Sequence, residues 1–177
     1  MEVTRGAARS GFTLIELTLV IAIMSIAMVL VVSRMDNVIP SSRFISAANR
    51  ISSFAEAAFS TAVASGKPVA IIYDLNEQTY YLGFPSGDFE EDPEHMDHTN
   101  PNPLPSGIKI EMLLIGDERE TAGTHVFRVS PNGRVKGHLV WLTDETGRKA
   151  TVEVYPLTGT TAVFDDFIEP RSEEDVE

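Results

Sequence analysis

Glu16 is the residue whose chemistry fits its surroundings least. From Phe12 to Val32 the chain runs through 21 residues with no other charge and no Pro or Gly. A carboxylate in such a run costs about 2.5–3.5 kcal/mol at the centre of a bilayer and less near the interface. Some partner must offset that cost. A second concentration of reactive side chains lies further on. Asp88, Glu90, Glu91, Asp92, Glu94, His95, Asp97 and His98 crowd eleven residues, with prolines at 93, 101, 103 and 105. His95 and His98 offer two imidazoles for zinc, and the carboxylates suit calcium. No Gly stands at a sixth loop position with a Glu at the twelfth, so this is no EF-hand. An acidic, Pro-rich stretch is expected to be a solvated loop, and no metal is expected in it.

Catalytic patterns are missing. His125 and His138 fall beside strand-like runs. No Ser sits in a Gly-x-Ser-x-Gly elbow, and neither a Walker loop nor a Gly-rich dinucleotide signature occurs. No catalytic residue and no cofactor are expected, so the chain does not read as an enzyme. The net charge of -12 works against nucleic acid or anionic lipid as general partners. With no cysteine, disulfides and thiolate metal sites are excluded.

The elements that carry these residues follow from the apolar run. As a helix rising ~1.5 Å per residue it reaches ~30 Å, the thickness of a bilayer's hydrocarbon core. Arg5 and Arg9, against Glu2, form a short basic flank that stays cytoplasmic and sends the bulk of the chain across. A cleavable secretory signal fits poorly, because the small-x-small triplet Ser25-Ile26-Ala27 lies in mid-run. The run therefore reads as an anchor with any processing site before it.

Gly11-Phe12-Thr13-Leu14-Ile15-Glu16 resembles the prepilin motif of type IV pilins and type II secretion pseudopilins. The resemblance implies that a prepilin peptidase cuts between Gly11 and Phe12 on the cytoplasmic side and N-methylates the new Phe12 amine. Glu16 then becomes the fifth mature residue, the position of that family's assembly glutamate. The amine of one subunit can meet the Glu16 carboxylate of another, which pairs both charges out of water. That role is structural.

Beyond the anchor, Pro40-Ser41-Ser42 predicts a break and a new helix start, with Ser41 or Ser42 as cap. Phe44, Ala48, Ile51, Ala55, Ala58 and Ala62 recur at steps of four and three and predict one buried helix face. Ala47 and Ala57 add to the small residues that permit close approach. Gly66 and Pro68 end the helix. Val69–Tyr73 and Thr79–Leu82 predict a hairpin. Ile108, Ile110, Met112 and Leu114 predict one face of a strand. Val126–Val129, Arg134-Val135, Leu139–Leu142, Thr151–Tyr155 and Thr161–Phe164 predict further strands, with tight turns at 130–133 and 144–147. The lone Trp141 is expected in the core or between sheets.

This half is similar to the H-type minor pseudopilins and the related FimT-like minor pilins, through Ser65-Gly66-Lys67-Pro68-Val69, Pro131-Asn132-Gly133 and Val152–Gly159. The resemblance implies an α+β fold. A long N-terminal helix, membrane-spanning in its first half, would pack on an antiparallel, β-sandwich-like periplasmic domain. The expected organisation is a leader at 1–11, a membrane helix at 12–33, an amphipathic continuation at 34–66, a β-rich domain at 67–165 and an acidic tail at 166–177. The implied protein is a minor pseudopilin at or near the tip of a pseudopilus, single-pass in a bacterial inner membrane. Its implied partners are the prepilin peptidase, major and minor pseudopilins, the inner-membrane assembly platform and the lipid bilayer, with no nucleic acid. The alternative is a FimT-like minor pilin serving adhesion or DNA uptake.

Overall fold

The computed structural model describes residues 14–35, 38–85 and 96–169, with side chains left aside at 29–35 and 38–41. The chain divides into two compact units, Met1–Ser41 and Ser42–Glu177. The first unit holds helix α1 (Leu14–Met35) and the opening turn of α2 (Val38–Ser65). Pro40 was expected to interrupt the helix and Ser41 or Ser42 to cap its restart. Instead Pro40 is the third residue of α2. There its missing N–H costs nothing, because the first four N–H groups of a helix have no acceptor within it.

In the second unit, the helix face expected to be buried is buried. Phe44, Ala48, Ile51, Ala55, Ala58 and Ala62 are covered, joined by Ala47 and Phe59. Arg50, Ser53 and Glu56 face outward, and so does Ala57, whose small side chain was expected to permit close approach. Gly66 ends the helix at φ +64°, a conformation that costs a residue with a Cβ about 1 kcal/mol or more.

Among the described residues ten strands follow: β1 (Val69–Asp74), β2 (Thr79–Phe84), β3 (Asp97–His98), β4 (Asn102–Pro103), β5 (Ile108–Ile115), β6 (Glu118–Glu120), β7 (Thr124–Val129), β8 (His138–Asp144), β9 (Lys149–Val154) and β10 (Thr161–Phe164). They form two antiparallel sheets. The first runs β3-β2-β1-β7, with β4 also on β2; the second runs β10-β9-β8-β5-β6. Arg134 and Val135 lie outside any strand; the Val135 N–H donates to the Pro156 carbonyl instead. One core joins the inner face of α2 to Ile71 and Tyr73 of β1, Phe127 of β7, Leu142 of β8 and Val152 of β9.

The alternation expected along β5 holds only for its first half. Ile108 and Ile110 meet the main core, but the register shifts between Ile110 and Met112. The extra residue of a bulge reverses the pleat, so Leu113 faces the main core while Met112 and Leu114 turn to the opposite face. Gln78 ties the two sheets at the same place. Its Oε1 accepts from the Ile110 N–H at 2.6 Å, and its Nε2 donates to the Ile110 carbonyl at 3.2 Å and to the Leu75 carbonyl at 2.7 Å. The side-chain amide thus imitates one rung of a β-ladder. Gln78 does so at φ +54°, strained for a residue with a Cβ.

Trp141 is also placed differently from expectation. It belongs to a cluster with Leu114 and Leu139 on the outer face of the second sheet, away from the main core. Its ring is covered by Phe167, stacked at 4.4 Å. Part of the expected acidic tail is therefore packed against the sheet.

Candidate assembly site

Gly11 and Phe12, the expected cleavage and methylation positions, lie outside the described residues. Glu16 stands in the first turn of α1. Exposed amide groups and the helix dipole favour a carboxylate there. Leu14 is 82% exposed, Ile15 77% and Leu19 60%, so the carboxylate is set among uncovered apolar side chains. The pattern continues through Ile21, Ile23, Met24, Ile26 and Met28, all exposed. These positions go right round the helix. A helix apolar on every side belongs inside something apolar, since each such side chain gains about 1.5–3 kcal/mol on leaving water.

The described hydroxyls of α1 suit the same environment. The Thr18 Oγ1 donates to the Ile15 carbonyl at 3.0 Å, and the Ser25 Oγ donates to the Ile21 carbonyl at 2.8 Å. Both satisfy themselves on their own helix and ask nothing of the surroundings. Among the described residues no helix is long and apolar enough to cross a membrane. The described side chains of α1 reach Met28, whereas the apolar sequence continues to Val32.

The acidic segment is described only from Met96 onward, and Asp88, Glu90, Glu91, Asp92, Glu94 and His95 lie outside the described residues. His98 is held within β3. Its Nδ1 meets the Thr99 carbonyl at 2.9 Å and its ring lies 5.3 Å from that of Tyr81. Among the described residues no three His, Asp or Glu side chains gather to hold a metal.

His138, beside a strand-like run in the sequence, is buried at the start of β8. Its ring stacks on Phe127 at 3.7 Å, and its Nδ1 and Nε2 meet the Lys136 carbonyl at 2.9 Å and the Tyr73 hydroxyl at 3.4 Å. Burial drives its pKa down to about 4, against a smaller upward pull from the Lys136 carbonyl, and burial pushes Tyr73 up. The only hint was the apolar run Leu139-Val140-Trp141-Leu142 directly after it. A groove on the solvent side of α2 is lined by Ser46, Asn49, Arg50, Ser53, Phe54 and Tyr80, together with Asn102 and Pro103. Its lining holds no carboxylate and no histidine.

In chain order, an apolar helix is followed by a two-sheet α+β unit. Residues 6–32 match the prokaryotic N-terminal methylation motif. The fold is similar to that of the minor pseudopilin EpsH from the type 2 secretion system of Vibrio cholerae. The TM-score is 0.52 and the sequence identity 14%, over 70% of this chain and 97% of that one. No curated protein matches the chain in sequence.

Proposed function

We propose that this chain is an H-type minor pseudopilin of a type II secretion system, a structural subunit at or near the tip of a periplasmic pseudopilus. Residues 1–11 serve as leader, 12–33 as a single membrane anchor in a bacterial inner membrane, and the folded unit stands in the periplasm. Prepilin peptidase cuts after Gly11 and methylates the amine of Phe12. In the polymer, Glu16 accepts the amine of a neighbouring pseudopilin, and the assembly platform and the bilayer hold the subunit before it is incorporated. The observation that carries this reading is the methylation motif at the head of an evenly apolar helix, on a chain whose folded unit has a minor pseudopilin's fold.

Mass spectrometry of protein extracted from membranes tests it. The expected species begins at N-methylated Phe12, and Gly11→Leu blocks its formation by crowding the peptidase's small-residue site. A chain that keeps Met1 in peptidase-proficient cells, or one cut near Ala27, overturns the reading.

A further inference from the structure

The outer face of the second sheet carries a site that the pseudopilin reading does not use. Leu114, Leu139 and Trp141 are buried there beneath residues 165–169, which follow β10 and join neither sheet. This strap is held as a short peptide ligand is held. The Phe167 ring lies flat on Trp141, and the Trp141 Nε1 donates to the Ile168 carbonyl at 3.1 Å. The Thr151 Oγ1 donates to the Asp166 carbonyl at 2.7 Å and accepts from the Ile168 N–H at 3.2 Å. Two cations stand at the rim: the Lys149 ammonium is 4.8 Å from the centre of Phe167, and the Arg119 guanidinium is 5.9 Å from the centre of Trp141 and 3.1 Å from the Glu169 carboxylate.

Each of these contacts reads a feature that another polypeptide can supply. The backbone contacts need a carbonyl and the N–H two residues on to meet one hydroxyl, the stack needs an aromatic side chain, and the face beneath needs an aliphatic neighbour. The rim cations, in a chain with a net charge of -12, favour acidic residues around that pair. The strap itself reads Asp165-Asp166-Phe167-Ile168-Glu169. Only Asp165 and Asp166 separate its Phe167-Ile168 pair from β10, so the pair's effective concentration at the site is high, on the order of millimolar or more.

We propose that this face is a docking site for a short acidic segment of a partner protein bearing an adjacent aromatic and aliphatic residue. The chain's own strap occupies it until that segment displaces it.

Trp141 is the only tryptophan, so its emission reports the site directly. The test uses the full chain in detergent micelles, with Phe167→Ala and Ile168→Ala combined, and the capped pentapeptide Asp-Asp-Phe-Ile-Glu as probe. The strap variant should show red-shifted emission with its β-sheet circular dichroism retained, and the peptide should restore the blue emission. The peptide with Ala in place of Phe and Ile should not. Adding Arg119→Glu and Lys149→Glu should weaken the acidic peptide by about tenfold or more and favour Lys-Lys-Phe-Ile-Lys instead. The unmodified chain gives an independent reading. A peptide carrying p-bromophenylalanine should quench Trp141 there, at a concentration at least about tenfold higher because the strap competes. Unchanged emission in the strap variant, equal rescue by the Ala peptide, or indifference to charge reversal overturns the proposal.

Discussion

Glu16 and His138 are both ionisable groups in apolar surroundings, and they resolve the conflict in opposite ways. Glu16 is set among exposed apolar side chains, where a charge that stays must be matched by another. Replacing Glu16 by Leu removes a charge that is costly in lipid, so membrane insertion should be unchanged or improved. Incorporation should fall by at least about tenfold, since a buried amine left without its counter-charge costs on the order of 3 kcal/mol. Crosslinking to neighbouring subunits measures this, and wild-type crosslinking with normal secretion would remove the pairing argument. His138 instead gives up its charge, with a pKa held down to about 4 by burial. The unfolded chain binds a proton near pH 6.5 and the folded one only near 4, so unfolding takes up a proton between those values. The stability from neutral His138 is complete above about pH 6.5 and is lost progressively as pH falls to about 4, by roughly 3 kcal/mol in total. Urea unfolding at pH 7 and pH 5 should show this loss, and His138→Phe should flatten it. Glu16 was legible in the sequence because a lone charge interrupts a long apolar run. His138 was not, because its burial comes from Phe127 and Tyr73, brought to it by pairing on the other sheet.

At the scale of elements, legibility followed the range of the cause. The buried face of α2 was readable because its period is set within the helix, and the β1–β2 hairpin because its turn is local. The turn at 144–147 was likewise readable: the Asp144 carboxylate gathers the N–H groups of Thr146 and Arg148, and Gly147 takes φ +80°. The reversal along β5 was not readable, since a bulge answers to the register with β8. Trp141 was misplaced for the same reason, as its cover comes from residues far along the chain. Two element junctions give sharp expectations. Gly159 has φ +65°, and a Cβ there would stand 2.9 Å from the Phe59 ring. Gly159→Ala should therefore destabilise the folded unit by about 2–4 kcal/mol, from backbone strain and from overpacking against α2. Gln78→Ala should cost about 2–3 kcal/mol, because it strips partners from both polar groups of Ile110. Thermal or urea denaturation of the unit from Ser42 onward measures both.

At the scale of the whole molecule, charge separates a secretion subunit from one that takes up DNA. Contacts to phosphates need Lys or Arg free to replace counterions. The chain's net charge is -12, and the proposed loss of residues 1–11, with Arg5 and Arg9 against Glu2, would make it more negative. Arg148 is engaged by Asp144, and Lys149 stands over Phe167. Protein made without residues 1–35 should give no gel shift with duplex DNA at physiological salt. Micromolar binding that weakens steeply with added salt would instead favour the FimT-like alternative. The even apolarity of α1 carries a mechanical consequence. A helix with the same character on every side feels no torque from a uniform apolar medium, so it can spin about its axis almost freely. With Thr18 and Ser25 turned back on their own backbone, the Glu16 carboxylate is the strongest azimuthal marker on the described helix. In the proposed polymer, a neighbour that captures it would fix rotation and height in one contact, as a key turns only where its single tooth meets the ward.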